Sequence, residues 1–273
     1  MWQGEDLTGR SLLILPEQGF GDQLHFCRAV PRLKAMGVTT LTLACDAPLL
    51  PLLRSLPEVD QVVVANREQT YPRHDYWIFL LSLPLRLERL PADLPYLRPP
   101  EARSSHWETL LANQPGFRVG LVWKGDCRHP NDFHRSLPGL ATLAPLWGVD
   151  GVVFVNLQQG PGGEEGRNPP VGQPLLQPGE SFQDFGDTAA LVSRLDLVIT
   201  IDSAVAHLAG ALGKPCWVML SAFGCDWRWM REGEETPWYP GVMRLFRQTV
   251  PDDWSTVVAS MTDTLARLSV GTR

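Results

Sequence analysis

The chain has 273 residues, 44% of them hydrophobic, and a formal net charge of −6 at pH 7. This size allows one large domain or two modest domains with substantial cores. The slightly acidic balance, without a basic stripe, excludes a typical nucleic-acid-binding protein, so any anion must bind in a local pocket.

The cysteines and the N-terminal residues indicate the cellular compartment. The five cysteines include no C-x-x-C pair, and their odd number is typical of free thiols in a reducing environment. The first residues lack the basic and apolar regions of a secretory signal. The longest apolar run, residues 77–83, is too short to cross a bilayer. The sequence therefore predicts a cytoplasmic protein without a transmembrane segment.

Strands and helices are predicted to alternate through the first half of the chain. The predicted strands cover residues 11–15, 40–44, 61–65 and 76–81, and the predicted helices cover residues 23–35, 48–56 and 104–113. This alternation is typical of a parallel, doubly wound sheet. After the first strand comes a turn, Glu17 to Asp22, with two glycines. Asp22 is placed either to cap the next helix or to act as a general base, and both interpretations stay open.

The alternation stops at Pro115 and then restarts, which predicts two domains, residues 1–115 and 116–273. In the second half, strands are predicted over residues 118–123, 151–157, 197–201, 216–220 and 243–246, and helices over residues 138–146, 187–194, 203–212 and 252–268. The Gly- and Pro-rich segment 158–180 is predicted to be a mobile functional loop or partly disordered. Two such halves predict a bilobal protein with a cleft between Rossmann-like lobes.

The strand predicted over residues 197–201 leads directly into a helix that opens at Asp202 and Ser203. These residue types cap helices, so free backbone N–H groups and the positive end of the helix dipole face the carboxyl edge of the sheet. Phosphate groups bind at this position in open α/β folds. His207 lies one turn further and can reach a ligand there. The competing interpretation is an ordinary βαβ unit that binds nothing.

The loop that follows the strand 118–123 contains three cations, Lys124, Arg128 and Arg135. They can converge on one anion, although a solvated surface loop has the same composition. The spacing of its His129, Asp132 and His134 fits no standard zinc pattern, so no metal site is predicted. Further along, tryptophans alternate with charges in the segments 226–231 and 237–240. Such aromatic side chains suit either sugar stacking or an interdomain seam.

Several motifs together resemble a known family. They are Glu17-Gln18-Gly19-Phe20-Gly21-Asp22, the loop 123–136, Asp187-Thr188-Ala189-Ala190-Leu191, the segment 202–215, Asp226-Trp227-Arg228-Trp229 and Pro237-Trp238-Tyr239-Pro240. Their order resembles the glycosyltransferase-like domain at the C-terminus of many bacterial tetratricopeptide-repeat proteins. That domain is similar to the lipopolysaccharide heptosyltransferases and, more distantly, to O-GlcNAc transferase. The tetratricopeptide repeats themselves are not found in this sequence.

The resemblance implies an α/β, GT-B-like fold that binds a nucleotide-diphosphate sugar mainly through the C-terminal lobe. By position, Asp22 matches the catalytic aspartate, while Lys124 and Arg135 match the cations that hold donor phosphates. The predicted donor site comprises Trp123, Lys124, Arg135, Ser136, Asp202, Ser203, Ala204 and His207, and the predicted acceptor side comprises Gln18, Gly19, Gly21 and His25. Heptosyltransferases have Asp-Thr-Gly where this chain has Asp202-Ser203-Ala204, which keeps the hydroxyl and loses the glycine.

The resulting hypothesis is an inverting, metal-independent glycosyltransferase that uses no cofactor and transfers a sugar to a hydroxyl of an acceptor glycan or protein. Inverting transfer needs a base for that hydroxyl and neutralisation of the diphosphate leaving group. Two alternatives stay open. One is a non-catalytic module that binds a nucleotide sugar or a protein, and the other is a nucleotide-sugar epimerase or hydrolase on the same fold.

Overall fold

The computed structural model describes residues 1–66, 70–91, 93–178 and 182–270, with only the backbone at 270. The first sheet is built from four parallel strands in the order β3-β2-β1-β4. The strands are β1 (Ser11–Leu15), β2 (Thr40–Cys45), β3 (Gln61–Val64) and β4 (Tyr76–Phe79). Leu12 of the central strand pairs with Leu41 on one side and Tyr76 on the other. The short apolar runs of the sequence thus form a parallel sheet, as predicted.

The helices of the first half are α1 (Phe20–Phe26), α2 (Val30–Ala35), α3 (Leu50–Leu53) and α4 (Ser104–Ala112). The single helix predicted over residues 23–35 is divided by a 3₁₀ turn, Cys27–Ala29. Pro31 explains the interruption, because it has no N–H to donate and its ring would clash with the carbonyl of Cys27 in a continuous α-helix.

The second sheet has five parallel strands in the order β6-β5-β7-β8-β9. The strands are β5 (Phe117–Val122), β6 (Val152–Asn156), β7 (Leu197–Ile201), β8 (Cys216–Leu220) and β9 (Met243–Arg247). The helices are α5 (Asp132–Arg135), α6 (Gly163–Arg167), α7 (Phe185–Val192), α8 (Ala204–Ala211) and α9 (Ser255–Val270). The predicted fold class, α/β with two parallel sheets, is confirmed. The predicted boundary at residue 115 lies between α4 and β5.

Two predicted elements of the second half differ from the structure. The helix predicted over residues 138–146 is a 3₁₀ helix, Leu140–Gly148, with Pro145 inside it. The segment 158–180 is ordered over its described part, residues 158–178. It contains α6, a bridge between Val155 and Leu176, and hydrogen bonds from the Gln158 amide to neighbouring carbonyls. Residues 179 and 180 lie outside the described residues.

The two faces of the second sheet contribute to different cores. Alternate residues of β7 point in opposite directions, so Ile199 packs with β5, α9 and the 3₁₀ helix 140–148. Val198 belongs instead to a larger cluster that includes α7, α8 and the apolar residues of the first sheet. The lobes are therefore joined by one continuous hydrophobic core. Within the described residues, no helix is long and apolar enough to cross a membrane.

Candidate active site

The turn between β1 and α1 places Asp22 at the carboxyl edge of the first sheet. Gln18 has a φ of 58°, a left-handed backbone conformation that residues with a Cβ rarely adopt. Gly19 follows it, and its N–H donates to Asp22 Oδ2 over 3.0 Å. Asp22 therefore caps its own helix, while 20% of its side chain remains exposed. Gln18 and Gly19, predicted on the acceptor side, are both exposed.

Helix α1 of the first lobe lies directly against α8 of the second lobe. The closest approach is at Gly21, where an added Cβ would lie 2.8 Å from His207 Cδ2 and 3.5 Å from Ala204 Cα. Only a glycine allows this separation without a shift of the neighbours. The turn that carries Asp22 and the first turn of the Ser203 helix are therefore neighbours across the interlobe seam.

Asp22 also forms an ion pair with Arg228 of the second lobe. Arg228 Nη2 donates to Asp22 Oδ1 over 2.5 Å, and Arg228 Nη1 donates to Asp226 Oδ2 over 2.8 Å. The Arg228 side chain is only 7% exposed. Sequence reasoning does not reveal this pair, because Arg228 is one of several charges among tryptophans and its partner lies 206 residues away.

The loop after β5 is held together by Asp132. Asp132 Oδ1 accepts hydrogen bonds from Arg135 Nε at 3.2 Å and from Ser136 Oγ at 2.9 Å. Arg135 Nη1 also donates to the Asp202 carbonyl at 3.2 Å, which joins this loop to the end of β7. The side chain of Arg135 is 13% exposed, so most of its donors face protein. Ser136 is buried, and its Oγ accepts the N–H of Gly125.

Three other residues of this loop differ in accessibility. Lys124 is half-buried, and its Nζ donates to the Pro138 carbonyl over 2.9 Å. Trp123 is wholly buried, and its indole N–H donates to Glu165 at 2.7 Å. Its ring therefore has no exposed face for a nucleotide sugar and supports the loop instead. Arg128 does not join Lys124 and Arg135, because it is 88% exposed and paired with Asp126.

The histidines of the same loop do not form a metal site in the described part of the chain. His129 Nδ1 accepts the Asn131 N–H, and His134 Nδ1 lies 3.3 Å from Asp252 Oδ1. Among the residues that the structure describes, no group of three or more His, Cys, Asp or Glu side chains has the arrangement of metal ligands.

The N-terminus of α8 is capped as the sequence indicates. Ser203 Oγ accepts the Val205 N–H at 3.2 Å and shares a hydrogen bond of 2.8 Å with Thr200 Oγ1. Burial raises the pKa of Asp202, whereas Trp229, Arg135 and Arg228 act in the opposite direction. Ala204 is half-buried beneath Gly21. The N-terminus of α8 therefore has a polar cap, Ser203, and its first turn packs closely against Gly21 in the turn that carries Asp22.

Behind Asp22, a buried polar cluster connects the lobes through Tyr239. His25 Nδ1 lies 3.0 Å and His207 Nδ1 lies 2.8 Å from the Tyr239 hydroxyl. The phenol has one proton, so at least one imidazole donates its Nδ1–H to it. Burial lowers the pKa of both histidines well below the usual value, and the nearby guanidinium groups lower it further. His25, predicted on the acceptor side, is wholly buried, and its side chain lies in the seam between the lobes.

Arg28 strengthens this seam. Its guanidinium donates to the Trp238 carbonyl at 2.7 Å and to the Tyr96 hydroxyl at 3.1 Å, and it lies 4.7 Å from the centres of the Tyr96 and Tyr239 rings. For the aromatic segments 226–231 and 237–240, the sequence left two interpretations open, and their side chains lie in two different environments. Tyr239 is part of the interlobe seam, as is the buried Trp229, which stacks on His207. Trp227 is 58% exposed beside Arg228.

The protein has two Rossmann-like lobes, each with a parallel sheet, and a polar seam lies between their facing strand ends. This arrangement defines the fold class as GT-B. The structure is similar to that of the E. coli ADP-heptose lipopolysaccharide heptosyltransferase II, with a TM-score of 0.67 and 15% identity over 96% of this chain and 99% of that one. It is also similar to the glycosyl transferase family 9 protein from Veillonella parvula DSM 2008, with a TM-score of 0.64, 15% identity and coverage of 94% and 90%.

The sequence comparisons agree with this class. Residues 183–220, which run from α7 through α8 to β8, match the model of Glycosyltransferase family 9 (heptosyltransferase). The chain is 36% identical to Protein FlbA from Caulobacter vibrioides over 274 residues. That alignment covers 88% of this chain and 44% of FlbA, so the chain spans less than half the length of this curated relative. The family segment includes the predicted phosphate-binding helix.

Proposed function

We propose that the chain is a family 9 glycosyltransferase that transfers a sugar from a nucleotide-diphosphate donor to an acceptor hydroxyl with inversion. In this proposal, residues 1–115 carry the base and face the acceptor, and residues 116–273 hold the donor. The observation that carries the proposal is the contact between the Asp22 turn and the first turn of α8. This contact brings a partly exposed carboxylate next to a capped helix N-terminus, the two groups that such a reaction requires.

Each group has a defined task in the transfer. The acceptor oxygen attacks the anomeric carbon, the bond from that carbon to the phosphate oxygen breaks, and the nucleoside diphosphate leaves. Asp22 accepts the proton of the acceptor hydroxyl. Among the described residues, each of its oxygens has one donor, Gly19 or Arg228, which leaves further lone pairs for a substrate hydroxyl. Lys124, Arg135 and the N–H groups of α8 stabilise the departing charge.

The proposed donor is an ADP sugar or a close relative, and no metal takes part. ADP-heptose, named for the E. coli heptosyltransferase, is the first candidate to test. Lys124 is the cation best placed to reorient toward phosphate, because its Nζ donates to a single carbonyl within the described part of the chain and lies near the surface. Arg135 holds the loop against β7 and contributes charge from a fixed position. The acceptor class and the association with tetratricopeptide repeats stay predictions.

Calorimetric titration of nucleoside diphosphates and their sugars tests the donor site. Replacing Lys124 with Ala should weaken binding by about 1–3 kcal/mol, the range of a charge-assisted hydrogen bond. Arg128→Ala is the matched control, because Arg128 lies on the same loop but is paired with Asp126 in solvent. Binding and transfer should both persist in EDTA. Unchanged affinity in Lys124→Ala, or a strict Mg²⁺ requirement, would contradict the proposed site.

A non-catalytic binding module is the second candidate, and one observation favours it. Both Asp22 oxygens already have protein partners, and one partner is a buried arginine from the other lobe. A carboxylate with a purely structural role would have the same contacts. Nucleotide binding without transfer to any acceptor would support this alternative, and the Asp22 variant described in the Discussion separates the two.

A further inference from the structure

Arg228 is the residue through which the second lobe contacts the proposed base. Its guanidinium lies between two carboxylates, Asp22 at 2.5 Å and Asp226 at 2.8 Å. It is also enclosed by aromatic rings, with Cζ 5.1 Å from the centre of the Phe26 ring and 4.9 Å from that of Trp227. The side chain is therefore held from both lobes and has little freedom to leave Asp22.

The backbone around Arg228 is arranged to hold this orientation. Asp226 Oδ1 accepts the Arg228 N–H at 2.9 Å, and the Thr236 hydroxyl donates to the Arg228 carbonyl at 3.0 Å. Asp226 thus binds both ends of the same residue, its amide and its guanidinium. The short 3₁₀ helix Trp227–Trp229 then ends at Met230.

Unusual backbone conformations lie on both sides of the ion pair. Over the described residues, three non-glycine positions have a positive φ, namely Gln18, Met230 and Asp252. Gln18 begins the turn that delivers Asp22, and Met230 follows Arg228 by two residues, with φ 62° and ψ 175°. Such conformations cost energy and are concentrated where function requires a fixed geometry.

Neither the neutralisation of Arg228 nor the joining of the lobes requires the contact with Asp22. Asp226 alone neutralises Arg228, and the seam is already joined by Arg28, Tyr239 and the shared core. Arg228 Nε is buried without a partner among the described residues, so the side chain is not placed to satisfy all its own donors. Its position is instead the one that brings Nη2 to Asp22 Oδ1.

We propose that Arg228 is a positioning residue for Asp22, and that Asp226 in turn holds Arg228. The inference rests on the proposed function. Gly19 fixes Oδ2 and Arg228 fixes Oδ1, so the carboxylate plane is set by one donor from each lobe. The base then has its working orientation only when the donor lobe is in place. In this scheme Arg228 contacts the base and not the substrates, and loss of Arg228 leaves Asp22 capped but free to rotate.

The test compares Arg228→Gln and Arg228→Ala with wild type, using Arg128→Gln as the control. Arg128 also pairs with an aspartate two residues away, but it is 88% exposed and has no ion pair with Asp22 among the described residues. The turnover number should fall roughly 10- to 100-fold in the Arg228 variants, the usual effect of a misoriented catalytic group. Donor affinity measured by calorimetry should change less than about twofold, because a positioning residue for the base makes no donor contact. Arg128→Gln should match wild type in both.

Chemical rescue provides a readout that a structural role would not change. Millimolar guanidinium added to Arg228→Ala should restore part of the turnover, and it should not restore Asp22→Asn. If the other variants fail to fold, Arg228→Lys replaces them, because lysine keeps the positive charge but lacks the planar guanidinium. This variant should also lose turnover without losing donor affinity. Wild-type turnover in a folded Arg228 variant, or equal losses of turnover and donor binding, would overturn this inference alone. Absence of transfer by wild type with every donor would overturn the proposed function and this inference together.

Discussion

Replacing Asp22 with Asn is the most informative single change, because the structure assigns both of its oxygens. Oδ2 accepts the Gly19 N–H at 3.0 Å and Oδ1 accepts Arg228 Nη2 at 2.5 Å. Asparagine has one acceptor oxygen and one NH₂ group of the same shape. Whichever way the amide is oriented, its NH₂ group faces one of these two donors, so one hydrogen bond must be lost.

The size of the loss depends on which contact is given up. Keeping the cap sacrifices a hydrogen bond to a charged group, worth about 1.5–3 kcal/mol. Keeping the Arg228 contact sacrifices the cap, worth about 0.5–2 kcal/mol. Arg228 still has Asp226, so the larger penalty of an isolated buried charge does not apply. We expect a destabilisation of about 1–2 kcal/mol, and each kcal/mol lowers the Tm of a protein near this size by roughly 2–4 °C.

Activity separates the two roles of Asp22 more sharply than stability does. If Asp22 is the base, single-turnover transfer by Asp22→Asn should fall roughly 10²- to 10⁴-fold. Donor affinity should stay near the wild-type value. Asp126→Asn is the matched control, because it changes an exposed aspartate that also pairs with an arginine, and it should leave Tm and transfer nearly unchanged. Full transfer by a folded Asp22→Asn protein would refute Asp22 as the base and favour the binding module.

Two further predictions concern the seam. His25 and His207 have lowered pKa values, so below about pH 6.5 the unfolded chain binds protons that the folded protein does not. The free energy of unfolding should therefore decrease as pH falls below about 6.5, by at most about 1.4 kcal/mol per pH unit for each histidine. Thermal unfolding at pH 7.5 and 5.5 measures this, His207→Gln should reduce the slope, and a constant Tm would contradict it. Gly21→Ala places a Cβ 2.8 Å from His207 and should cost about 1–3 kcal/mol in denaturant unfolding. Gly19→Ala meets only a side-chain oxygen at 3.7 Å and should cost less, and equal losses would show that α1 and α8 can separate freely.

The strands were the most predictable part of the fold, because their signal is local. The bounds predicted for β1, β7 and β8 coincide with the observed strands, since each is a short apolar run bordered by polar or turn residues. Helices were less predictable where proline intervenes. Pro31 divides a helix that apolar periodicity would continue, and Pro145 lies in a 3₁₀ segment where an α-helix was predicted.

The candidate site could be predicted only as separate halves. The capped helix at Ser203 and the glycine turn before Asp22 are each evident from neighbouring residues, and the resemblance places them on opposite sides of a cleft. The partners that join them are not evident in this way. Arg228 lies 206 residues from Asp22, and Tyr239 lies 214 residues from His25. Periodicity and capping patterns contain no information about such pairs, which depend on how one lobe is placed on the other.

The hydrophobic core shared by the two lobes has a consequence for biosynthesis. Leu24 and Phe26 of α1 are at most 1% exposed in the finished protein, and they belong to the cluster that includes Ala206 and Ala209 of α8. During translation the first sheet emerges more than a hundred residues before α8. Until α8 arrives, the nascent chain presents an apolar face that water must solvate, a state in which proteins are prone to aggregate. The first lobe should therefore remain incompletely packed until α8 has emerged from the ribosome.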